Sequence, residues 1–201
     1  MNEISPSLSD TLKQVRACEH CVEHLPFGAR PVLQLGVNAK VLIVGQAPGS
    51  KVHATGIPFD DASGDRLRNW MGVSKSEFYD ANQIAILPMG FCYPGKGKSG
   101  DLPPRKECAE LWHDQLLAMM PNIELTLIIG QYAIAWHLPE AKKNSLTNTV
   151  KAWKNYWPNR LPLPHPSPRN NIWLKKNDWF EIEIIPSLQK QVQSLLKSSA
   201  L

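Results

Sequence analysis

No apolar run in this chain of 201 residues approaches the roughly 20 residues that a membrane-spanning helix needs. The opening residues, MNEISPSLSDTLKQ, lack the basic start and apolar centre of a secretory leader. The expectation is a cytoplasmic globule. Neither sign of charge is in large excess: 22 Lys and Arg face 18 Asp and Glu, a net charge of +4, to which six histidines add below neutral pH. That balance permits a polyanionic partner without demanding one. An intact phosphate-binding loop is also missing. The motif G-x-x-x-x-G-K-(S/T) needs lysine directly after its second glycine, so that backbone N–H groups and the ammonium share the phosphates. Here Gly45 and Gly49 enclose three residues instead of four, and Ser50 precedes Lys51. The GKGKSG string at 95–100 has Cys92 where the first glycine belongs, and no strand leads into it. These mismatches argue against a nucleotide hydrolase.

The remaining composition is that of an ordinary globule, with more tryptophan (seven) and proline (17) than usual, concentrated in the second half and in loops. The length fits one domain, taken as residues 1–201, with a full core. Hydrophobic patterning places a first helix at 7–16 and strands at Val41–Val44, 83–87, 125–130 and 160–164. It places helices at 63–71 (capped by Ser63, with Leu67, Trp70 and Met71 inward), Pro104–Met119, 131–138, 147–157 and 187–198. Alternation at this spacing predicts an α/β fold: three layers, α/β/α, around a central four-stranded parallel sheet. No internal repeat or linker divides it.

In such a sheet the ligand sits at the carboxyl ends of the strands. The loops leaving those ends are GQAPGSKVHATGIPFDD (45–61), PMGFCYPGKGKSGDLPPR (88–105) and PHPSPRNN (164–171). All three are rich in glycine and proline, and two carry histidine. One such loop is a surface turn; three on one edge predict a site. Ser-Pro loops of the third kind suit phosphate gripping.

These loops carry a family resemblance. GQAPG resembles the first motif of the uracil-DNA glycosylase superfamily, written G-E-(G/A)-P-G in its iron–sulfur (family 4) branch. That branch continues with T-G-x-P-F and a glycine five residues past the Phe, matched here by Thr55, Gly56, Pro58, Phe59 and Gly64. HPSPRN resembles the second motif, H-P-(S/A) in that branch and H-P-S-P-L in the uracil-excising branch. The likeness runs from about Cys18 to Phe180. It implies an enzyme, monofunctional in the sense of cleaving only the N-glycosidic bond, that removes uracil or another deaminated base from single- or double-stranded DNA in base excision repair. It implies a monomer and no membrane partner.

The chemistry assigns roles by the same resemblance. A base must leave the stack before its glycosidic bond is reachable. Phe59 is the stacking face, with a core phenylalanine as the plain alternative. His165 meets the charge developing on a base oxygen. Backbone N–H groups of Gln46 and Ala47 hold another oxygen. Pro166 and Ser167 belong to the phosphate loop, and Arg169 stands where the uracil-excising branch has a wedge leucine. Lys96 and Lys98 face the duplex, unless they form a merely solvated turn. Two departures stand out. Gln46 and Ala47 replace the acidic residues that handle water in the two branches, leaving Asp60, Asp61 and His53 as nearby candidates. Pro88 stands four residues before Cys92, where the family reads uracil with an asparagine, and it offers neither an amide side chain nor an N–H. Asn82, at the far end of that strand, is a poor substitute. These departures keep open a non-catalytic nucleic-acid or nucleobase-binding protein on the same fold.

Cysteine is scarce, but its spacing is informative. Cys18-x2-Cys21 and the pair Cys92 and Cys108 make a possible four-ligand set, and disulfides are rare in the cytosol. The resemblance implies a 4Fe–4S cluster in a structural role. Four thiolates suit zinc equally well, and His20 or His24 stand near enough in sequence to replace a ligand.

Overall fold

The computed structural model describes residues 7–197. Its chain order begins with α1 (Leu8–Arg16), β1 (Val41–Val44), α2 (Ser50–Thr55), α3 (Ala62–Met71), α4 (Lys75–Phe78) and β2 (Ile84–Ile86). A small hairpin follows, β3 (Lys96–Gly97) and β4 (Gly100–Asp101). Then come α5 (Asp114–Ala118), β5 (Leu125–Ile129), α6 (Gly130–His137), α7 (Leu146–Lys151), β6 (Arg160–Leu163), α8 (Asn171–Lys176) and α9 (Ile185–Lys197). The main sheet has the order β2-β1-β5-β6 and every pairing is parallel.

The strands form because their residues are apolar on both faces, as a parallel sheet covered on two sides requires. Val41 and Ile43 point into one core with Leu127 and Leu161, against Leu67 and Met71 of α3 and Leu188 and Val192 of α9. Leu42 and Val44 point into the opposite core with Ile128, against Leu12 and Val15 of α1, Leu116 of α5 and Ala133 of α6. Period-two alternation within one strand thus feeds two separate cores, which makes the three layers. The open edge at β2 is covered locally: Gln34 bridges to Ile86, and its side-chain amide donates to the carbonyls of Phe78 and Ile84 at 3.0 and 2.8 Å.

The predicted fold class and four strands are therefore present, with differences at helix ends. α3 is capped by Asp61, whose Oδ1 accepts from the Gly64 N–H at 2.9 Å, and Ser63 is buried inside the helix. Pro104 lies before its helix, which starts after Lys106 and passes through a wide π-type stretch, Ala109–His113, before α5. The helix expected at 147–157 is α7 followed by a tighter turn, Trp153–Asn155. Ser198, the last residue of the expected C-terminal helix, lies outside the described residues, as do the ends of the 1–201 span.

One close approach positions the site. Gly64 packs so tightly under the preceding loop that a Cβ there would sit 1.8 Å from the Phe59 carbonyl oxygen. Gly64→Ala must push that backbone away. We expect it to lower stability by about 1–3 kcal/mol, read as a shifted urea midpoint with unchanged slope, and to reduce activity beyond what that loss of folded protein explains.

Candidate active site

The carboxyl ends of β1, β5 and β6 open into a cleft of about 460 Å³. Its walls come from the loop after β1 (Gln46–Gly49), the second half of the hairpin (Ser99–Asp101) and the loop after β6 (His165, Ser167, Arg169). Gln131 and Tyr132 at the start of α6 also line it. A smaller recess opens off the same Gln46, Ala47 and His165, and is closed by Phe59, Ile86 and Pro88. The first loop is pinned from beneath: Met89 and Gly90 N–H groups donate to the Gly45 and Gln46 carbonyls at 2.8 and 2.9 Å. The loops after β1 and β2 are therefore tied together.

Phe59 forms the wall of the recess in an unusual backbone state. Its φ is +55°, the left-handed region, which costs a side-chain-bearing residue about 1–3 kcal/mol and persists only where surroundings enforce it. Here Gly64 packs beneath it, and the buried Arg68 guanidinium donates to the Phe59 carbonyl at 3.4 Å. Arg68 is itself held by Asp65 at 2.6 Å and lies 5.2 Å from the Phe78 ring centroid. The Phe59 ring meets Phe78 edge-on, with centroids 6.2 Å apart, and keeps a half-exposed face.

His165 has a defined tautomer. The Ser167 N–H donates to its Nδ1 at 3.2 Å, so Nδ1 is the acceptor and the proton sits on Nε2. Burial pushes its pKa below the ordinary value, against the opposing influence of the Asp61 and Asp101 carboxylates. The ring is therefore a neutral donor in a half-buried place. Its loop is fixed at three points: Asn170 donates to the His165 carbonyl at 2.7 Å, and Arg66 donates to the Ser167 carbonyl at 3.1 Å and to Asn171 Oδ1 at 2.7 Å.

The structure brings Gln46, Ala47, His165, Ser167 and Arg169 to one cleft, and Phe59 to the recess. Pro166 is buried behind them. Arg169 is exposed, with Nη1 donating to the Ser99 carbonyl at 3.3 Å, so it bridges two walls. Lys96 and Lys98 stand exposed on the hairpin, outside the cleft lining. The water-handling candidates from sequence are engaged elsewhere: Asp60 pairs with Lys75 at 3.7 Å, Asp61 caps α3, and His53 packs against Phe27 and Tyr93. Asp101, Gln131, Tyr132 and Asn170 line the cleft without having been singled out. Gln131 and Tyr132 follow the strand-end rule, but β5 enters α6 with no loop to draw attention to them.

Pro88 lies in the recess, as its sequence position implies. Its carbonyl accepts from His113 Nε2 at 3.0 Å, so the backbone there is anchored although the ring supplies no donor. Asn82 sits in a different depression with Asn38 and Lys40. His113 is fully buried, stacked on Phe91, and 5.9 Å by centroid from His137. His113 Nδ1 and His137 Nε2 are buried without partners.

Cys18, Cys21, Cys92 and Cys108 all line one small cavity with Leu25, Pro31, Phe91 and Arg105. None is in a disulfide. Burial raises the Cys92 thiol to about 11 and Cys108 to about 12, and each feels the other cysteines. Four soft donors gathered around one small cavity, with the Cys21, Cys92 and Cys108 thiols each made harder to ionise by burial, fit a group that carries positive charge. Among the described residues no three His, Cys, Asp or Glu side chains converge as a single ion requires. His20 and His24 are exposed and outside this cavity.

A sequence model of the Uracil DNA glycosylase superfamily matches residues 34–189, most of the chain, and the protein belongs to that superfamily.

The paired imidazoles behind Pro88 make a pH prediction. Burial, with the His113 charge, lowers His137 to about 4, and burial lowers His113 in the same direction. An unfolded chain takes up protons near pH 6.5 that the native state refuses, so this stability is full above that pH and lost as pH falls toward 4. Urea midpoints should fall across that window, with up to about 3 kcal/mol from His137. His137→Leu should make the fall shallower.

Proposed function

We propose that this member of the uracil-DNA glycosylase superfamily is a DNA glycosylase that hydrolyses the N-glycosidic bond of uracil or another deaminated base. The neutral His165, held with Nε2–H as its free donor beside a recess walled by Phe59, carries this proposal. The target nucleotide leaves the stack and its base enters the recess, stacking on Phe59. As the glycosidic bond breaks, its electron pair moves onto the base and charge grows on a base oxygen. His165 Nε2–H meets that charge without first having to lose a proton, and backbone N–H groups of Gln46 and Ala47 meet another oxygen. Pro166 and Ser167 shape the phosphate-binding turn, while Arg169, Lys96 and Lys98 contact the strand backbone.

Pro88 bears on substrate range. A recess wall with no amide has no side-chain code there for uracil, so the enzyme accepts a broader set that includes xanthine or hypoxanthine, or handles uracil weakly. The same residue, with Ala47, favours one other reading, a non-catalytic nucleic-acid or nucleobase-binding protein on this fold.

Membership of the iron–sulfur branch is part of the proposal. Cys18, Cys21, Cys92 and Cys108 would hold a 4Fe–4S cluster, since all four thiols line one cavity; the same four thiolates would equally suit zinc. When bound it supplies structure: it ties the segment after α1 to the loop after β2, whose Met89 and Gly90 pin the first motif.

Oligonucleotides each carrying one deaminated base test the activity. Wild-type protein should release at least one of them as an alkali-labile site. His165→Ala should lose about a hundred- to a thousandfold in rate while gel-shift affinity stays within a few-fold. Phe59→Ala should be milder and raise KM. Protein that cleaves no member with its metal intact supports the binding reading instead.

For the cluster, purified protein should be brown, with a broad visible absorption that bleaches on reduction. Cys92→Ser or Cys108→Ser should abolish it and lower thermal stability. Colourless protein with one zinc per chain would keep the four ligands and overturn the cluster.

A further inference from the structure

Hydrolysis needs a group to accept the proton of the attacking water, and the first-motif positions that would supply one are Gln46 and Ala47. Gln46 has no basic atom, and Ala47 has no polar side chain at all. Asp60, Asp61 and His53 are tied to Lys75, to the α3 N-terminus and to an aromatic stack. One carboxylate remains: Asp101, among the described residues the only acidic side chain lining either the cleft or the recess.

We infer that Asp101 is a catalytic residue of this site, the carboxylate that takes the proton from the water attacking C1′. The inference rests on the glycosylase reading above. Asp101 ends the hairpin and reaches the cleft from the wall facing the His165 loop. Tyr93 O–H donates to its Oδ1 at 3.3 Å, which orients the carboxylate and makes Tyr93 a positioning residue. Oδ2 lies over the first-motif loop, in contact range of it, 3.6 Å from where a Cβ on Gly49 would be. The Arg169 bond to the Ser99 carbonyl holds the hairpin tip in place beside it. The Asp61 carboxylate and, after it, that of Asp101 both reach His165, where they oppose the effect of burial on the imidazole.

The step balances. The C1′–N bond breaks with its electron pair leaving on the base, which His165 Nε2–H stabilises and which then takes a proton from solvent. Water oxygen forms the new bond to C1′ from the Asp101 side. One water proton passes to the Asp101 carboxylate and from there to solvent. Distributing the two tasks over loops after different strands explains how a first motif without an acid remains compatible with hydrolysis.

The experiment uses the best-cleaved oligonucleotide of the panel, under single-turnover conditions with enzyme in excess. Asp101→Asn keeps an oxygen for Tyr93 and should fold normally, checked by its thermal midpoint. Its rate should fall about a hundred- to ten-thousandfold with gel-shift affinity within a few-fold of wild type. Asp101→Ala should be as slow, and added formate, a free carboxylate, should restore part of its rate. An Asp101→Asn variant as fast as wild type, or one impaired only in affinity, overturns the inference while leaving the glycosylase reading intact. Formate that gives Asp101→Ala no gain overturns the proton-accepting role. Wild-type protein inactive on the whole panel overturns both.

Discussion

The site depends on one steric contact, the Phe59 carbonyl lying on the bare Cα of Gly64. That contact lets the chain turn left-handed at Phe59 and still start α3 immediately afterwards. α3 is anchored in the core by Leu67, Trp70 and Met71, so the recess wall inherits the rigidity of a packed helix. Arg68, one turn further along, closes the arrangement by bonding the same carbonyl. The backbone strain at Phe59 is thus held by the most buried part of the molecule, which is how a half-exposed aromatic ring keeps one orientation.

The other walls are fixed by the same logic of short tethers to the sheet. The first-motif loop hangs from Met89 and Gly90, and the second-motif loop hangs from Arg66 and Asn170. His165 owes its tautomer to a backbone N–H two residues away, so the donor state of the ring is set locally by the turn itself. His165, Ser167, Arg169 and Asn170 are therefore oriented before any ligand arrives, which is what electrostatic stabilisation of a developing charge requires.

Much of this was legible in the sequence. Continuous apolar runs such as Val41–Val44 announce strands buried on both faces, and the strand-end rule points to the edge of the sheet where the cleft opens. Gln46, Ala47, Phe59, His165, Ser167 and Arg169 do share one cleft and its recess. What escaped had weak local signals. α2 has only six residues, too few for a helical period. The hairpin has two-residue strands, which show no alternation, and so Asp101 looked like one more residue of a glycine-rich loop. Ser63 looked like a cap because it precedes the apolar period, but Asp61 reaches the Gly64 N–H and starts the helix two residues sooner. Four cysteines scattered over 91 positions, from Cys18 to Cys108, become neighbours only through the fold.

β5 passes into α6 without any connecting loop, the turn being made at Gly130 with φ +79°. Gln131 and Tyr132 are consequently residues set on the scaffold itself, while the first- and second-motif parts of the cleft are carried on loops. Insertions and deletions can lengthen or reshape the loops at modest cost, but none can be placed between β5 and α6 without unseating a helix from the central sheet. Descendants of this protein with altered substrates would thus be expected to differ in the loops and to keep this junction, changing Gln131 or Tyr132 only by direct replacement of one side chain with another.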